Sequence, residues 1–394
     1  MKATIKSLRE YTDFDSAYWG MGVNSDGKVY FGLCSHMPGK SAGLFSVDMA
    51  TDVIEHLFNV DDILGSAHGK IHTPIVEGTD EKMYFGTHFA YPHGDPTQPV
   101  QYEGGHIMSY DPNTKTVEDF GIVQEKNGVL TVAMDKGNNK LYALTIPSGH
   151  LMCLDISSRI YRDLGAVPSN GSICRTITIG DNGKVYGSFE EDGLFIYDPV
   201  TDELTLKPNY FPAENVDEWG AASRGGVNKV GRKLWRCATY DAGRNALYGI
   251  YSTSSRAFVI DCATLELGIF DPMVPSDFNE ATNVYPTLSL VADDERLLYV
   301  PADGMFDYCR SDNMREMSHL MAFNKAHEGL EDLGEITDGD HKIYGVAGAV
   351  LNGDALLLLG ATESDADVMA IGPEDKLFNI NGQPFELSLI KVTL

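Results

Sequence analysis

Gly183-Lys184-Val185-Tyr186-Gly187, followed by Gly193-Leu194-Phe195-Ile196-Tyr197-Asp198-Pro199, is the stretch that decides the fold of this 394-residue chain. Each half is a short run rich in β-branched and aromatic residues, bounded by Gly or Asp, and reads as a strand. Both halves recur. The first returns as Gly27-Lys28-Val29-Tyr30-Phe31-Gly32, Glu81-Lys82-Met83-Tyr84-Phe85-Gly86 and Asn139-Lys140-Leu141-Tyr142-Ala143. It returns again as Asn245-Ala246-Leu247-Tyr248-Gly249, Arg296-Leu297-Leu298-Tyr299-Val300 and, in divergent form, Asp354-Ala355-Leu356-Leu357-Leu358-Leu359-Gly360.

The second half follows in most copies, as Gly43-Leu44-Phe45-Ser46-Val47-Asp48, Gly105-His106-Ile107-Met108-Ser109-Tyr110-Asp111 and Gly149-His150-Leu151-Met152-Cys153-Leu154-Asp155. Ala257-Phe258-Val259-Ile260-Asp261 and His319-Leu320-Met321-Ala322-Phe323-Asn324 complete the series. Asp-Pro-x-Thr after two of them makes a turn into a further strand. Helical periodicity is almost absent. Seven copies of four strands, spaced by about 44 to 60 residues, predict an all-β seven-bladed β-propeller, with residues 1–394 as one domain. The seventh copy lacks a fourth strand. Ala3-Thr4-Ile5-Lys6-Ser7-Leu8-Arg9-Glu10-Tyr11 resembles that strand and is expected to pair beside Phe385–Val392 and close the ring.

Composition sets outer bounds. Hydrophobic residues make up 43% of the chain, and the net charge is −27. So acidic a chain argues against nucleic acid or an anionic membrane as partner. No window approaches the roughly 18 apolar residues of a membrane span. No apolar signal core follows Met1, so a cytoplasmic protein is expected, with a mature secreted form as the alternative. The six cysteines are scattered without a CxxC pair and read as reduced core residues. No P-loop, dinucleotide fingerprint, Gly-x-Ser-x-Gly elbow or metal motif appears, so no cofactor is expected.

The repeat also supplies coordinates. In a propeller the first strand of each blade lines the central channel, and equivalent positions converge at one mouth. Counting back from the signature Tyr, His72 lies 12 residues before Tyr84 and Arg236 lies 12 before Tyr248. Arg175, Thr131 and Trp19 lie 11 before Tyr186, Tyr142 and Tyr30. His72, Arg175 and Arg236 thus share one inner slot, where an unpaired charge is expensive to bury. Together they read as an anion site, and an Arg fork suits a carboxylate. The alternative is that each Arg pairs with a local Asp or Glu.

His88 ends the second strand of blade two, and His106 opens its third. The two are expected to be neighbours at the mouth and able to move a proton; the alternative is a structural role for each. His150 matches His106 by repeat position and reads as structural. Tyr18 and Tyr240 are expected to face the mouth, Trp19 and Trp219 to offer stacking surfaces, and Arg224 and Asn228 to overhang it.

Lys70-Ile71-His72-Thr73-Pro74, Tyr84-Phe85-Gly86-Thr87-His88 and Gly104-Gly105-His106 together resemble the seven-bladed propeller polysaccharide lyases. These include the ulvan lyases and the L-rhamnose-α-1,4-D-glucuronate lyase. The resemblance implies cleavage at C4 of a uronic acid by β-elimination, in a uronate-containing oligo- or polysaccharide. By matching position it implies His88 and His106 as the catalytic pair and Arg175 and Arg236 as the carboxylate holders; the repeat register adds His72, Tyr240 and Trp19 as expected substrate-binding residues beside them. The tyrosine used by some members has no motif-secured equivalent. Two other readings stay open. One is a non-catalytic β-propeller interaction module. The other is a metal-dependent hydrolase on a six-bladed relative, whose carboxylate and Asn ligands the inner slots lack.

Overall fold

The computed structural model describes residues 1–37, 39–65, 68–89, 102–168, 174–190, 192–212, 235–251, 255–276, 284–285, 289–303, 318–341, 343–364, 379–380 and 383–394. The chain forms seven four-stranded antiparallel blades in a ring, a seven-bladed β-propeller. Blade three shows the plan: Gly128–Asp135, Lys140–Ile146, His150–Asp155 and Ile160–Ala166, each paired with the next. First strands of successive blades pack against one another, so they line the axis. One short helix, Asp61–Leu64, interrupts the pattern among the described residues.

The signature residues have two jobs. Tyr30, Tyr84, Tyr142, Tyr186, Tyr248 and Tyr299 are all buried, filling the space between blades. The Asp or Asn that ends each third strand builds the hairpin that follows. Asp111 Oδ1 accepts from the Asn113 and Thr114 amides, and Asp48, Asp155, Asp198, Asp261 and Asn324 make the same local bonds. These amide bonds hold the Asp48 and Asp261 carboxyls below their ordinary pKa.

Blade seven consists of Ile343–Asn352, Ala355–Glu363, Gln383–Thr393 and the N-terminal strand Ala3–Ser7. Ala3 pairs with Val392 and Ser7 with Ser388, so the two ends of the chain share one sheet. Ala3 also donates to Thr337 O at 2.8 Å, tying the strand to blade six. The expected closure is therefore present.

Deleting residues 1–8 should remove five ladder positions and the buried Ala3 and Leu8. At about 1 kcal/mol net per hydrogen bond, several kcal/mol are lost. The melting temperature should fall by several degrees; an unchanged value would show that the ring holds without its clasp.

Candidate functional site

The inner strand of blade two is broken. Lys70–Ile71 pairs with His88 and Thr87, and Val76–Glu77 pairs with Tyr84 and Met83. Four residues on one strand, His72 to Ile75, thus stand against two on the other, Phe85 and Gly86, and the ladder skips them. Pro74 has no amide hydrogen to offer a ladder. Thr73 substitutes a side chain, its Oγ1 accepting from the Gly86 amide at 2.8 Å. The inner strand of blade one, Ser16–Val23, is bulged between Ala17 and Met21, where Tyr18 and Trp19 sit. Bulges re-aim side chains beside functional sites.

The two bulges lie against each other. Ile75 donates to Met21 O at 3.0 Å, and a Cβ on Gly22 would stand 1.7 Å from Ile75 O. Only glycine allows that approach. On the far side, a Cβ on Gly128 would stand 2.7 Å from the His88 ring. The inner strands of blades one and three therefore clamp the histidines of blade two between them.

What gathers there is a compact set of rings and cations. The His72 ring lies 4.3 Å from Trp19, 4.7 Å from Tyr18 and 4.7 Å from His88, between centroids. The Arg175 guanidinium lies 5.1 Å from the Trp19 ring and donates from Nη1 to His72 Nε2 at 3.1 Å. Lys70 Nζ donates to the Tyr18 hydroxyl at 3.0 Å and stands 4.6 Å from that ring. Phe89 covers His88 at 4.0 Å. Lys70, His72, His88 and Trp19 are all buried. The Trp19 indole N–H is buried without a partner.

The bonds fix both tautomers. His88 Nδ1 meets the Phe89 carbonyl at 2.9 Å, so Nδ1 carries the hydrogen. Its Nε2 holds a lone pair and has no hydrogen-bond partner among the described residues. His72 Nδ1 donates to Leu130 O at 3.4 Å, which leaves Nε2 to accept from Arg175. Burial pushes His88 from 6.5 to about 3, with Lys70 and Arg175 adding to the shift and the Phe89 bond opposing it. Burial, then His88, Arg175 and Lys70, push His72 well below its ordinary value. Both imidazoles are neutral at neutral pH, between two cations.

His106 is not in this group. Gly86 faces Ile107 across the sheet, so Thr87 faces His106 and His88 faces Gly105. Facing residues share one side of a sheet and successive residues alternate. His88 and His106 therefore project to opposite sides of the blade, and no ring contact or hydrogen bond joins them. That corrects the expected pairing; the partner of His88 is His72.

His106 belongs instead to a repeated clamp. Its Nδ1 donates to Asp119 Oδ1 at 2.8 Å. His150 makes the same bond to Asp163 in blade three, and His319 to Asp332 in blade six. In each case the Asp also accepts from a glycine amide two residues on, Gly121, Gly165 and Gly334, at φ of 85°, 124° and 103°. A bulge in the outer strand coincides with all three. The signal lay in the sequence as His-x12-Asp-x-Gly.

Other expected members fall in different places. Arg236 sits half-buried at the inner-strand bulge of blade five, and no described contact carries it to His72 or Arg175. Tyr240 lies at the other end of that strand, and its hydroxyl donates to Asn245 Oδ1 at 2.9 Å in the following turn. Four residues of extended chain separate it from Arg236, so it does not reach the mouth. Trp219, Arg224 and Asn228 lie outside the described residues. Lys70 is the member that sequence reading missed. It faces His88 directly across the ladder, a placement that follows once the strand register is known.

Comparison with solved structures places the fold among propellers. The chain is similar to the WD40 repeats of RRP9, with TM-score 0.59, 9% identity and coverage of 100% of this chain and 97% of that one. It is similar to YCF48 bound to D1 peptide, with TM-score 0.57, 10% identity and coverage of 100% and 96%. A chain of the mitotic checkpoint complex gives TM-score 0.57 at 12% identity, with coverage of 91% and 87%. No family model matches the sequence, and no curated protein matches it. Likeness at this level carries the fold and leaves function to the site.

The buried neutral histidines predict a pH dependence of stability. Their folded pKa values lie below the unfolded value of 6.5, so the unfolded chain binds more protons as pH falls below that value. Stability is fully present above 6.5 and is lost on acidification. Each such histidine should account for about 1 kcal/mol between pH 7 and about 5.5. Melting curves of His88→Gln should flatten by that amount; a slope equal to wild type would contradict the neutral assignment.

Proposed function

We propose that this chain is a carbon–oxygen lyase that cleaves a glycosidic bond at C4 of a uronic acid residue by β-elimination. The observation that supports this reading best is the neutral His88, its Nε2 lone pair unused among the described residues, beside buried Lys70 and half-buried Arg175. A C5 proton next to a carboxylate is only weakly acidic. Lys70 and Arg175 would hold that carboxylate and stabilise the enolate-like intermediate formed as the proton leaves. His88 Nε2 takes the C5 proton. The electron pair then forms the C4–C5 double bond as the C4–O4 bond breaks, and O4 receives a proton from the His88 imidazolium or from Tyr18. His72, bonded to Arg175 at Nε2, positions the guanidinium.

The same cations that depress His88 make the site substrate-dependent. In the free protein they oppose its protonation. A bound carboxylate cancels their field, so His88 becomes a stronger base when the substrate is in place.

A second reading is a non-catalytic module that holds a partner's carboxylate in this pocket. The likeness to YCF48, solved with a bound peptide, favours it.

Ultraviolet absorbance of the 4,5-unsaturated product from glucuronate-containing glycans tests the choice. His88→Ala should lower the rate on the order of 10²–10⁴-fold. Arg175→Ala should raise KM and lower kcat, while His106→Ala should retain most of the rate. The acid limb of kcat/KM should lie below 6.5, because the free protein's base is depressed from that value. Folded wild-type protein that binds uronates and yields no absorbance across a broad panel would favour the module and sink the lyase.

A further inference from the structure

A second polar group lies on the other side of blade two, where Thr87 and His106 project. The His68 and His106 rings stand 5.3 Å apart and nearly perpendicular, and the Tyr102 ring stands 5.4 Å from His68. Each imidazole is anchored at Nδ1: His106 to Asp119 Oδ1 at 2.8 Å, and His68 to Thr87 Oγ1 at 3.0 Å. Neither Nε2 has a hydrogen-bond partner among the described residues. The Tyr102 hydroxyl is buried and has no partner either. A buried polar group left unsatisfied costs about 1–3 kcal/mol. The unsatisfied Tyr102 hydroxyl thus lies on a ring packed against His68, which in turn packs against His106.

Blade three provides an internal comparison. There Thr145 takes the place of Thr87, and its Oγ1 accepts from the His150 amide at 3.1 Å, as Thr87 does from His106 at 2.9 Å. The Thr145 hydroxyl donates to Gln124 Oε1 at 2.6 Å, where blade two presents His68. Blade three thus closes the same arrangement with an amide, and blade two opens it with a second imidazole.

We propose that His68 and His106 bind one divalent transition-metal ion of the zinc type through their Nε2 atoms, with Tyr102 and water completing its coordination. Zinc holds imidazole nitrogens at about 2.0–2.1 Å in a tetrahedral array, which sets two ring centroids about 5 Å apart. The anchoring of Nδ1 by a carboxylate and a hydroxyl is the outer-shell support that metal-bound histidines use. Burial pushes His68 from 6.5 to about 4, with the charge of His106 second, so it is in the neutral, ligating form. No group of three or more His, Cys, Asp or Glu side chains is placed for a metal among the described residues, so the site is a two-imidazole one. It shares no ligand with the His88 face and stands apart from the lyase reading.

The test is equilibrium dialysis of EDTA-treated protein against zinc chloride, with bound zinc counted by mass spectrometry. One zinc per chain is expected. It should be lost in His68→Gln and in His106→Ala and kept in His150→Ala, which removes the same clamp from blade three. Tyr102→Phe should weaken binding several-fold. Cobalt(II) titrated into wild type should give the visible d–d absorption of a low-coordinate nitrogen site, a readout that does not depend on any variant folding. Wild type that retains no zinc and shows no cobalt band overturns the proposal. So does zinc uptake undiminished in both histidine variants.

Discussion

A propeller blade has two apolar faces, and neither can be left in water. Each face is buried only by a neighbouring blade, so the ring is stable only when every blade has a neighbour on both sides. The pleat enforces this: along every strand, successive side chains go to opposite neighbours. The buried tyrosines of the second strands are the visible result, and the N-terminal strand in blade seven is the closing device. Because the last blade takes its outer strand from the start of the chain, the geometry of every inner slot depends on both termini.

The same alternation decides how much of the site could be read in advance. The fold was legible because the repeat is written in residue types that have one job in six of the seven blades, a packed Tyr and a turn-forming Asp or Asn. His72, Arg175 and Trp19 were legible as equivalent inner positions, and they do converge. The pairing of His88 with His106 failed because closeness along a strand edge was weighed and parity was not. One residue of register separates a histidine in the channel wall from one facing the neighbouring blade. Lys70 was missed for the mirror-image reason: it is paired with His88 across a ladder whose register is displaced by a two-residue bulge, and no spacing rule carries that offset.

Electrostatics sharpens the contrast between body and site. The chain carries a net charge of −27, yet its channel wall holds a buried Lys70 and a half-buried Arg175 beside two neutral histidines. Burial favours neutral groups, and it is the largest cause that holds His72 and His88 in the neutral form there.

Function in a repeat protein is best sought where the repeat is broken for a reason that sequence and structure share. The His–Asp clamp recurs in three blades with the same bulge and the same glycine, so by itself it argues for a structural role. Blade two departs from the pattern twice. Pro74 and Thr73 divert its inner strand and expose His72 to Arg175, and His68 replaces the amide that closes the equivalent corner of blade three. Both departures place imidazole nitrogens without hydrogen-bond partners among the described residues on the two faces of one strand, at residues Thr87 and His88. A strand that only had to pack would satisfy those atoms with its neighbours, as blade three does with Gln124.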